Sequence, residues 1–339
     1  MGQSGGIDLR KSRVLVTGGA GFIGNEVTRQ LITAGAVVTV VDNFRNGKRE
    51  NLADIKSERL KIEAADIRDR EAMAKALKGQ DLVLHLACLG VRHSIHAPME
   101  NHEVNATATL MLLELARAAG VKRFANVSSS EIYGTARTAP MTEEHPQYPM
   151  TVYGAAKLAG ERYTDAYWKT YGYPTTVIRP FNAFGPRSHH EGDSGEVIPK
   201  FMLRAMAGKP LVVHGDGLQS RDFTFVADTA RGIIAAGTHE ATIGETINLG
   251  SGRDVTIKDL AELIARTLPG RNINVEYGPD RPGDVRRLLA DSSKAERLIG
   301  FKPETSLQRG LELLRDWYQA GGKNPEELLA DEQTVNWTA

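Results

Sequence analysis

A tyrosine and a lysine stand four residues apart in Tyr153-Gly-Ala-Ala-Lys157. On a helix this spacing points both side chains from one face. A nearby ammonium favours the phenolate and so lowers a tyrosine pKa. Such a phenol can take a proton from an alcohol. The spacing alone is common on surfaces, but it has company. The segment Phe124-Ala-Asn-Val-Ser128-Ser129-Ser130-Glu131 is an apolar run that ends in hydroxyls. In a parallel sheet, strand carboxyl ends face the ligand crevice, and a hydroxyl there steadies charge developing on a substrate oxygen.

A third feature supplies the reagent. Thr17-Gly18-Gly19-Ala20-Gly21-Phe22-Ile23-Gly24 follows an apolar run and opens a helical one. Gly18 can make the tight turn, Gly21 lets backbone approach a pyrophosphate, and Gly24 allows close helix–strand packing. Asp42 ends the next strand 18 residues after Gly24, where a carboxylate accepts both hydroxyls of an adenosine ribose. A carboxylate there repels a 2′-phosphate, so the expected cofactor is NAD rather than NADP. Arg45, Lys48 and Arg49 are either a phosphate site or a solvated loop. Asp66-Ile67 either brackets the adenine or caps a helix. With the dinucleotide bound, its positive ring acts on Tyr153 in the same direction as Lys157, which can also hold the nicotinamide ribose.

These groups need a scaffold. Short apolar runs at Val14–Thr17, Val37–Val41, Leu60–Glu63, Leu82–His85 and Phe124–Val127 alternate with helical stretches at Gly24–Ala34, Glu71–Leu77 and Ala106–Ala118. Nearly continuous apolar strands between helices imply parallel strands covered on both faces. The expected fold is α/β, a doubly wound parallel (Rossmann) sheet over residues 12–180. A smaller mixed α/β substrate lobe follows over 181–320, then a polar tail over 321–339. The polar run Ser188–Glu196 reads as a lip over the ligand site.

The chain has 339 residues, with 42 basic and 42 acidic side chains. Zero net charge gives no drive towards nucleic acid or an anionic membrane. One cysteine, Cys88, excludes an internal disulfide framework and fits a reducing, cytoplasmic setting. No apolar run is long enough to span a bilayer, and the N-terminal stretch lacks a signal-peptide core. The histidines lack metal-site spacing, so no metal is expected. The sequons at Asn105, Asn126 and Asn336 read as accidental.

The motifs TGGAGFIG, DNFRNGKREN, HLA, SSSEIYG, YGAAK, RPFNAFGPR, GDGLQSRDF, NLGSG and RPGDV together resemble the extended short-chain dehydrogenase/reductases, and within them the NAD-dependent nucleotide-sugar epimerases and dehydratases. The resemblance runs from Val14 to about Trp317. It implies Tyr153 as the base, Lys157 as its partner and Ser129 as the catalytic hydroxyl. It adds Phe22, Ile23, Asn43, Leu86, Ala87 and Pro180 to the cofactor set. On the substrate side it implies Ser130, Asn182, Val197, Val212, His214, Arg221, Arg281 and Asp284, with the two arginines clamping a diphosphate in fork geometry. A homodimer packed through Val104–Ala118 and Val152–Tyr171 is implied as well.

The common step is oxidation of a sugar C4 hydroxyl. Return of hydride to the other face makes a 4-epimerase. Loss of water from C5–C6 makes a 4,6-dehydratase, and loss of CO₂ from a uronate makes a decarboxylase. Dehydratases of this kind resemble Thr-Asp-Glu at 129–131; this chain has Ser129-Ser130-Glu131, which matches the decarboxylases. DNFRNGKREN, YGAAK and Arg221-Asp222-Phe223 look more like epimerases. The ranking is 4-epimerase on a UDP-sugar first, dehydratase or decarboxylase next, and a non-catalytic dinucleotide-binding protein last. Glu131 is a candidate base. Arg92 and His93 either touch a charged sugar or belong to a solvated loop, and Glu196 stands where the epimerases offer an amide.

Overall fold

The computed structural model describes residues 6–332 except 269, 271, 272, 282 and 283. Six strands follow one another through the first half: β1 Arg13–Thr17, β2 Val37–Asp42, β3 Leu60–Ala64, β4 Leu82–His85, β5 Arg123–Val127 and β6 Thr175–Pro180. Beyond them come β7 Asn182–Phe184, β8 Leu211–His214, β9 Ser220–Phe225, β10 Thr246–Leu249, β11 Asp254–Thr256, β12 Val275–Gly278 and β13 Arg287–Leu288. The main sheet has seven parallel strands in the order β10-β6-β5-β4-β1-β2-β3. The order reverses direction beside β1, which opens a crevice at the strand carboxyl ends.

Alternation along β1 shows why the sheet is covered on both sides. Val14 and Val16 pack with Val27, Leu31, Ala230 and Ile233. Leu15 faces the other way, into a core with Met73, Leu112, Leu113 and Phe124. Every one of these side chains is fully buried, so the strands read as apolar runs without a polar face.

The chain does not divide cleanly at residue 180. β10 pairs parallel with β6, Ile247 beside Ile178, and helix Val226–Thr238 lies against helix Phe22–Thr33. The first core therefore includes Ile247, Leu249, Ala295 and Phe301. The physical reason is the edge of β6, whose backbone groups would otherwise lack a partner. The second lobe has its own core, around Phe201, Leu211, Phe223, Leu260 and Leu314. The tail is partly docked: after helix Pro325–Leu328, Leu329 is buried in that core and Glu332 pairs with Arg204 at 2.8 Å. Residues 333–339, including Asn336, lie outside the described residues.

The helix expected over 106–118 begins earlier, at Pro98, and passes through a wide turn at Glu103–Thr107 before Ala108–Ala118. Asn101 and Asn105 face the loop after β4. The Asn101 amide donates to the carbonyls of Leu89 and Gly90, and Asn105 Oδ1 accepts from the Leu89 N–H at 3.0 Å. Asn105 and Asn126 are each 2% exposed, so neither sequon presents an accessible amide.

Beneath the sheet's carboxyl end, Arg179 on β6 forms a two-pronged pair with Glu161 at 2.7 and 3.0 Å, both fully buried. Arg179 also donates to the Tyr133 hydroxyl, which in turn donates to Asn248 Oδ1, both at 2.7 Å. Substituting Glu161→Ala strands the guanidinium, and denaturant unfolding is expected to show a loss of about 3–5 kcal/mol. Breaking the exposed Lys169–Asp165 pair is expected to cost less than about 1 kcal/mol in the same assay.

Candidate active site

The carboxyl ends of β1 to β6 open on one cleft of about 1150 Å³. Every cofactor residue and every substrate residue expected from the sequence lines it: from Gly18, Asp42 and Asp66 at one end, through Ser129 and Tyr153, to Val212, His214 and Asp284 at the other.

The glycine turn is built for close approach. Gly18 has φ of +69°, and a Cβ on Gly24 would overlap the Gly18 carbonyl oxygen. Only glycine satisfies both demands, and the helix beginning at Phe22 brings its N-terminus into the cleft. Asp42 is fixed by its own backbone surroundings, accepting from the N–H of Ala20 at 2.9 Å and of Phe44 at 2.8 Å. Burial pushes its carboxyl above the usual range, and those two bonds oppose the shift. The Asn43 amide donates to Asp66 at 3.0 Å, and a hydrogen bond from Arg68 is the main cause holding the Asp66 carboxyl at about 2. Asp66 is not a helix cap, since Asp69 takes that role for helix Arg70–Ala76.

The basic residues after Asp42 are already committed. Arg45 pairs with Glu100 and meets His93 at 3.2 Å, Lys48 pairs with Glu191, and Arg49 lies 4.0 Å over the Phe44 ring. They tie the cofactor loop to its surroundings rather than present a phosphate site. Lys48–Glu191 also fastens the 188–196 segment to that loop, and Arg187, just before the segment, pairs with Asp54.

The helix that carries Tyr153 and Lys157, Val152–Tyr171, starts at a Thr151 cap whose hydroxyl accepts from the Gly154 N–H at 3.1 Å. A Cβ at Gly154 would sit 2.8 Å from the Glu131 carbonyl oxygen, so glycine lets the helix end press onto the serine segment. That contact sets Tyr153 beside Ser129, whose hydroxyl interacts with the phenol and accepts from the Glu131 N–H at 3.2 Å. Lys157 donates from Nζ to the Val127 carbonyl at 2.7 Å. Without the cofactor ring, the ammonium does not by itself make the phenol acidic. Burial is the largest influence on both groups, raising the Tyr153 pKa and lowering that of Lys157, and the Ser129 hydrogen bond opposes the shift at Tyr153. Burial also holds His85 at about 3, a neutral ring joining Thr17 to Thr109 at 2.7 and 3.0 Å.

Asn182 and Ser128 line the cleft, and Asn182 Oδ1 and Ser128 Oγ are buried without a hydrogen-bond partner in the protein. Arg221 bonds Asp284 at 2.6 Å. His214 faces the cleft, with its carbonyl accepting from Gln219 at 2.9 Å. Arg92 and His93, left open between loop and site by the sequence, both line the cleft, as does Cys88; His93 also meets Glu100 at 3.1 Å. The sequence did not single out the apolar wall of Ile198, Phe201 and Phe223, because such residues read equally well as core. Among the described residues, no group of three or more metal-binding side chains occurs.

A family model for GDP-mannose 4,6 dehydratase matches residues 15–314. The chain belongs to this family. It is 35% identical to dTDP-glucose 4,6-dehydratase 1 of Escherichia coli K12, covering 92% of this chain and 94% of that one. The UDP-glucose 4-epimerase of Thermotoga maritima, solved with UDP-glucose, superposes with a TM-score of 0.85 at 33% identity, covering 92% of this chain and 100% of that one. A dTDP-glucose 4,6-dehydratase of Streptomyces venezuelae, solved with NAD bound, gives 0.85 at 33% identity and covers 92% of this chain and 99% of that one. The chain is thus an NAD-dependent enzyme of the extended short-chain dehydrogenase/reductase class, with a nucleotide sugar as ligand. The glycine turn, the Asp42 carboxylate and the committed state of Arg45, Lys48 and Arg49 fit NAD. No described helix is long and apolar enough to cross a membrane.

Asp42→Ala is expected to abolish most of the preference for NAD over NADP, read by fluorescence titration of the apoprotein with each. Tyr153→Phe is expected to lower kcat by at least about 100-fold while nucleotide-sugar affinity by calorimetry stays within a fewfold; substantial residual turnover would remove Tyr153 from the role of base.

Proposed function

We propose that this protein is a nucleotide-sugar 4-epimerase acting on a UDP-linked sugar through a transient 4-keto sugar. The observation that carries this reading is the serine at 130, where a dehydratase would hold a second acid, beside the Ser129, Tyr153 and Lys157 set that all these reactions share. Tyr153 takes the proton from the C4 hydroxyl, and Ser129 holds that oxygen as the carbonyl forms. When bound, NAD supplies the acceptor and then the donor of the C4 hydride, and its positive ring favours the phenolate that burial disfavours. Asn182, Arg221 and Arg281 hold the diphosphate end, leaving the sugar attached through one linkage about which it can turn. Epimerisation needs no further acid or base. The likeness to the epimerase solved with UDP-glucose supports the uridine assignment.

A 4,6-dehydratase is the second reading, favoured by Glu131, whose carboxyl lines the cleft and is raised chiefly by burial. A base at C5 is what elimination requires. We also propose a two-fold dimer through the helices ending at Ala118 and Tyr171, supported by exposed Leu110, Val152 and Tyr171 on them.

The deciding experiment incubates the NAD-loaded protein with UDP-glucose, UDP-N-acetylglucosamine, UDP-glucuronate and GDP-mannose, and reads products by mass and NMR. The expected product is a 4-epimer of unchanged mass. Loss of water establishes the dehydratase instead, and loss of CO₂ a decarboxylase.

A further inference from the structure

At the Asp42 end of the cleft, charged side chains from separate stretches of chain meet in one belt. The loop after β2 folds round the Asp42 carboxylate. The Phe44 N–H donates to it at 2.8 Å, and a Cβ on Gly47 would sit 2.8 Å from both of its oxygens. Arg45 belongs to that loop and lines the cleft, as do Asp66, Arg68 and His93. Arg68 grips Asp66 with two bonds, at 3.0 and 2.9 Å. Glu100, on helix Pro98–His102, joins the two arginines. Its Oε1 accepts from Arg45 and lies 3.4 Å from Arg68, while its Oε2 lies 3.1 Å from His93 Nε2. Glu103 stands 3.6 Å from Arg68. Lys48 and Arg49 are occupied elsewhere, Lys48 by Glu191 and Arg49 over the Phe44 ring.

The guanidiniums of Arg45 and Arg68 thus face the carboxylates of Asp66, Glu100 and Glu103, and Asp42 adds its own charge beside them. A 2′-phosphate would bring about two further negative charges to the ribose at Asp42. An arginine fork is the group suited to receive it. Arg68 already spends its fork on Asp66. Arg45 follows Asp42 by only three residues, and 44% of its side chain is exposed, so it can turn without unpacking a core. What it lacks is freedom, because Glu100 takes its guanidinium. The same bond is the main cause holding the Glu100 carboxyl below its usual range, so the acid is ionised at neutral pH. Selecting one ligand also requires rejecting its near relatives. Asp42 rejects the extra phosphate by repulsion, and Glu100 does so by withholding the side chain that would welcome it.

We propose that Glu100 is a cofactor-specificity residue, which disfavours NADP by keeping the Arg45 guanidinium from a 2′-phosphate at Asp42. Glu100 is not among the described lining residues of the cleft, so it acts through Arg45 and is a positioning residue. The inference goes beyond the sugar chemistry. It holds whether the keto sugar is epimerised, dehydrated or decarboxylated.

Nicotinamide fluorescence on the full chain, titrated with NADH and NADPH, tests this in the Asp42→Ala background, where direct repulsion is gone. Adding Glu100→Gln is expected to tighten NADPH binding by about fivefold or more, less than a full charge-assisted hydrogen bond supplies because the loop is solvated. NADH affinity is expected to stay within about twofold, since that cofactor has no use for the freed guanidinium. With Arg45→Ala also present, the same Glu100→Gln step is expected to change NADPH affinity by less than about twofold. NADPH affinity unmoved by Glu100→Gln overturns the proposal, because Arg45 then gains nothing from release. A gain that survives Arg45→Ala overturns it too, because the acid then acts by repulsion and not through Arg45. A loss of NADH affinity on Glu100→Gln likewise overturns it, because Glu100 then supports the ribose site itself.

Discussion

The bond from Lys157 Nζ to the Val127 carbonyl joins the two pieces of chain on which the site depends. One is the end of β5, where Ser128, Ser129 and Ser130 leave the sheet. The other is the helix that carries Tyr153. The ammonium takes a carbonyl at the point where the strand runs out of partners, and the helix N-terminus closes on the Glu131 carbonyl through the missing side chain of Gly154. The separation of Tyr153 from Ser129 is thereby fixed by one buried lysine bond and by the backbone contact at Gly154. Farther along the same helix, Glu161 holds Arg179 on β6, so the helix is anchored to two neighbouring strands.

Dryness governs the site as strongly as charge does. The same burial raises Tyr153 and Glu196, lowers Lys157 and keeps His85 neutral. Each group is held towards its uncharged form by the protein, so the charges brought by ligands decide what ionises. This suits a reaction in which a proton leaves an alcohol only while a cationic ring lies alongside. In a wetter cleft Lys157 would be screened and the phenol would titrate nearly as it does in water.

Much of this was legible in the sequence, for identifiable reasons. Val14–Thr17 and Leu82–His85 are buried on both faces, so their apolar runs needed no partner to be recognised. Gly18 and Gly24 occupy backbone-limited positions in one strand–turn–helix unit, and Asp42 ends the strand that follows it. Less legible were features decided by tertiary contact. That Asp69 and not Asp66 caps its helix depended on where the helix starts. The early start at Pro98 depended on Asn101 and Asn105 finding the Leu89 and Gly90 backbone across space. The acidity expected of Tyr153 rested on charges, the neighbouring ammonium and the cofactor ring, and the sequence carries no information about how dry their surroundings are. Arg92 could be placed only once the loop after β4 was seen to turn inward.

The return of β10 to the outer edge of β6 means that the lobes are interleaved along the chain. A cut between the parts seen in sequence would strip Ile247, Leu249, Ala295 and Phe301 from the larger core and uncover a row of backbone donors and acceptors. The ligand-specific lobe is therefore not a cassette that could be exchanged as one contiguous piece. New preferences in such a scaffold must arise by replacing side chains around the cleft, while the thread that weaves both halves together stays as it is.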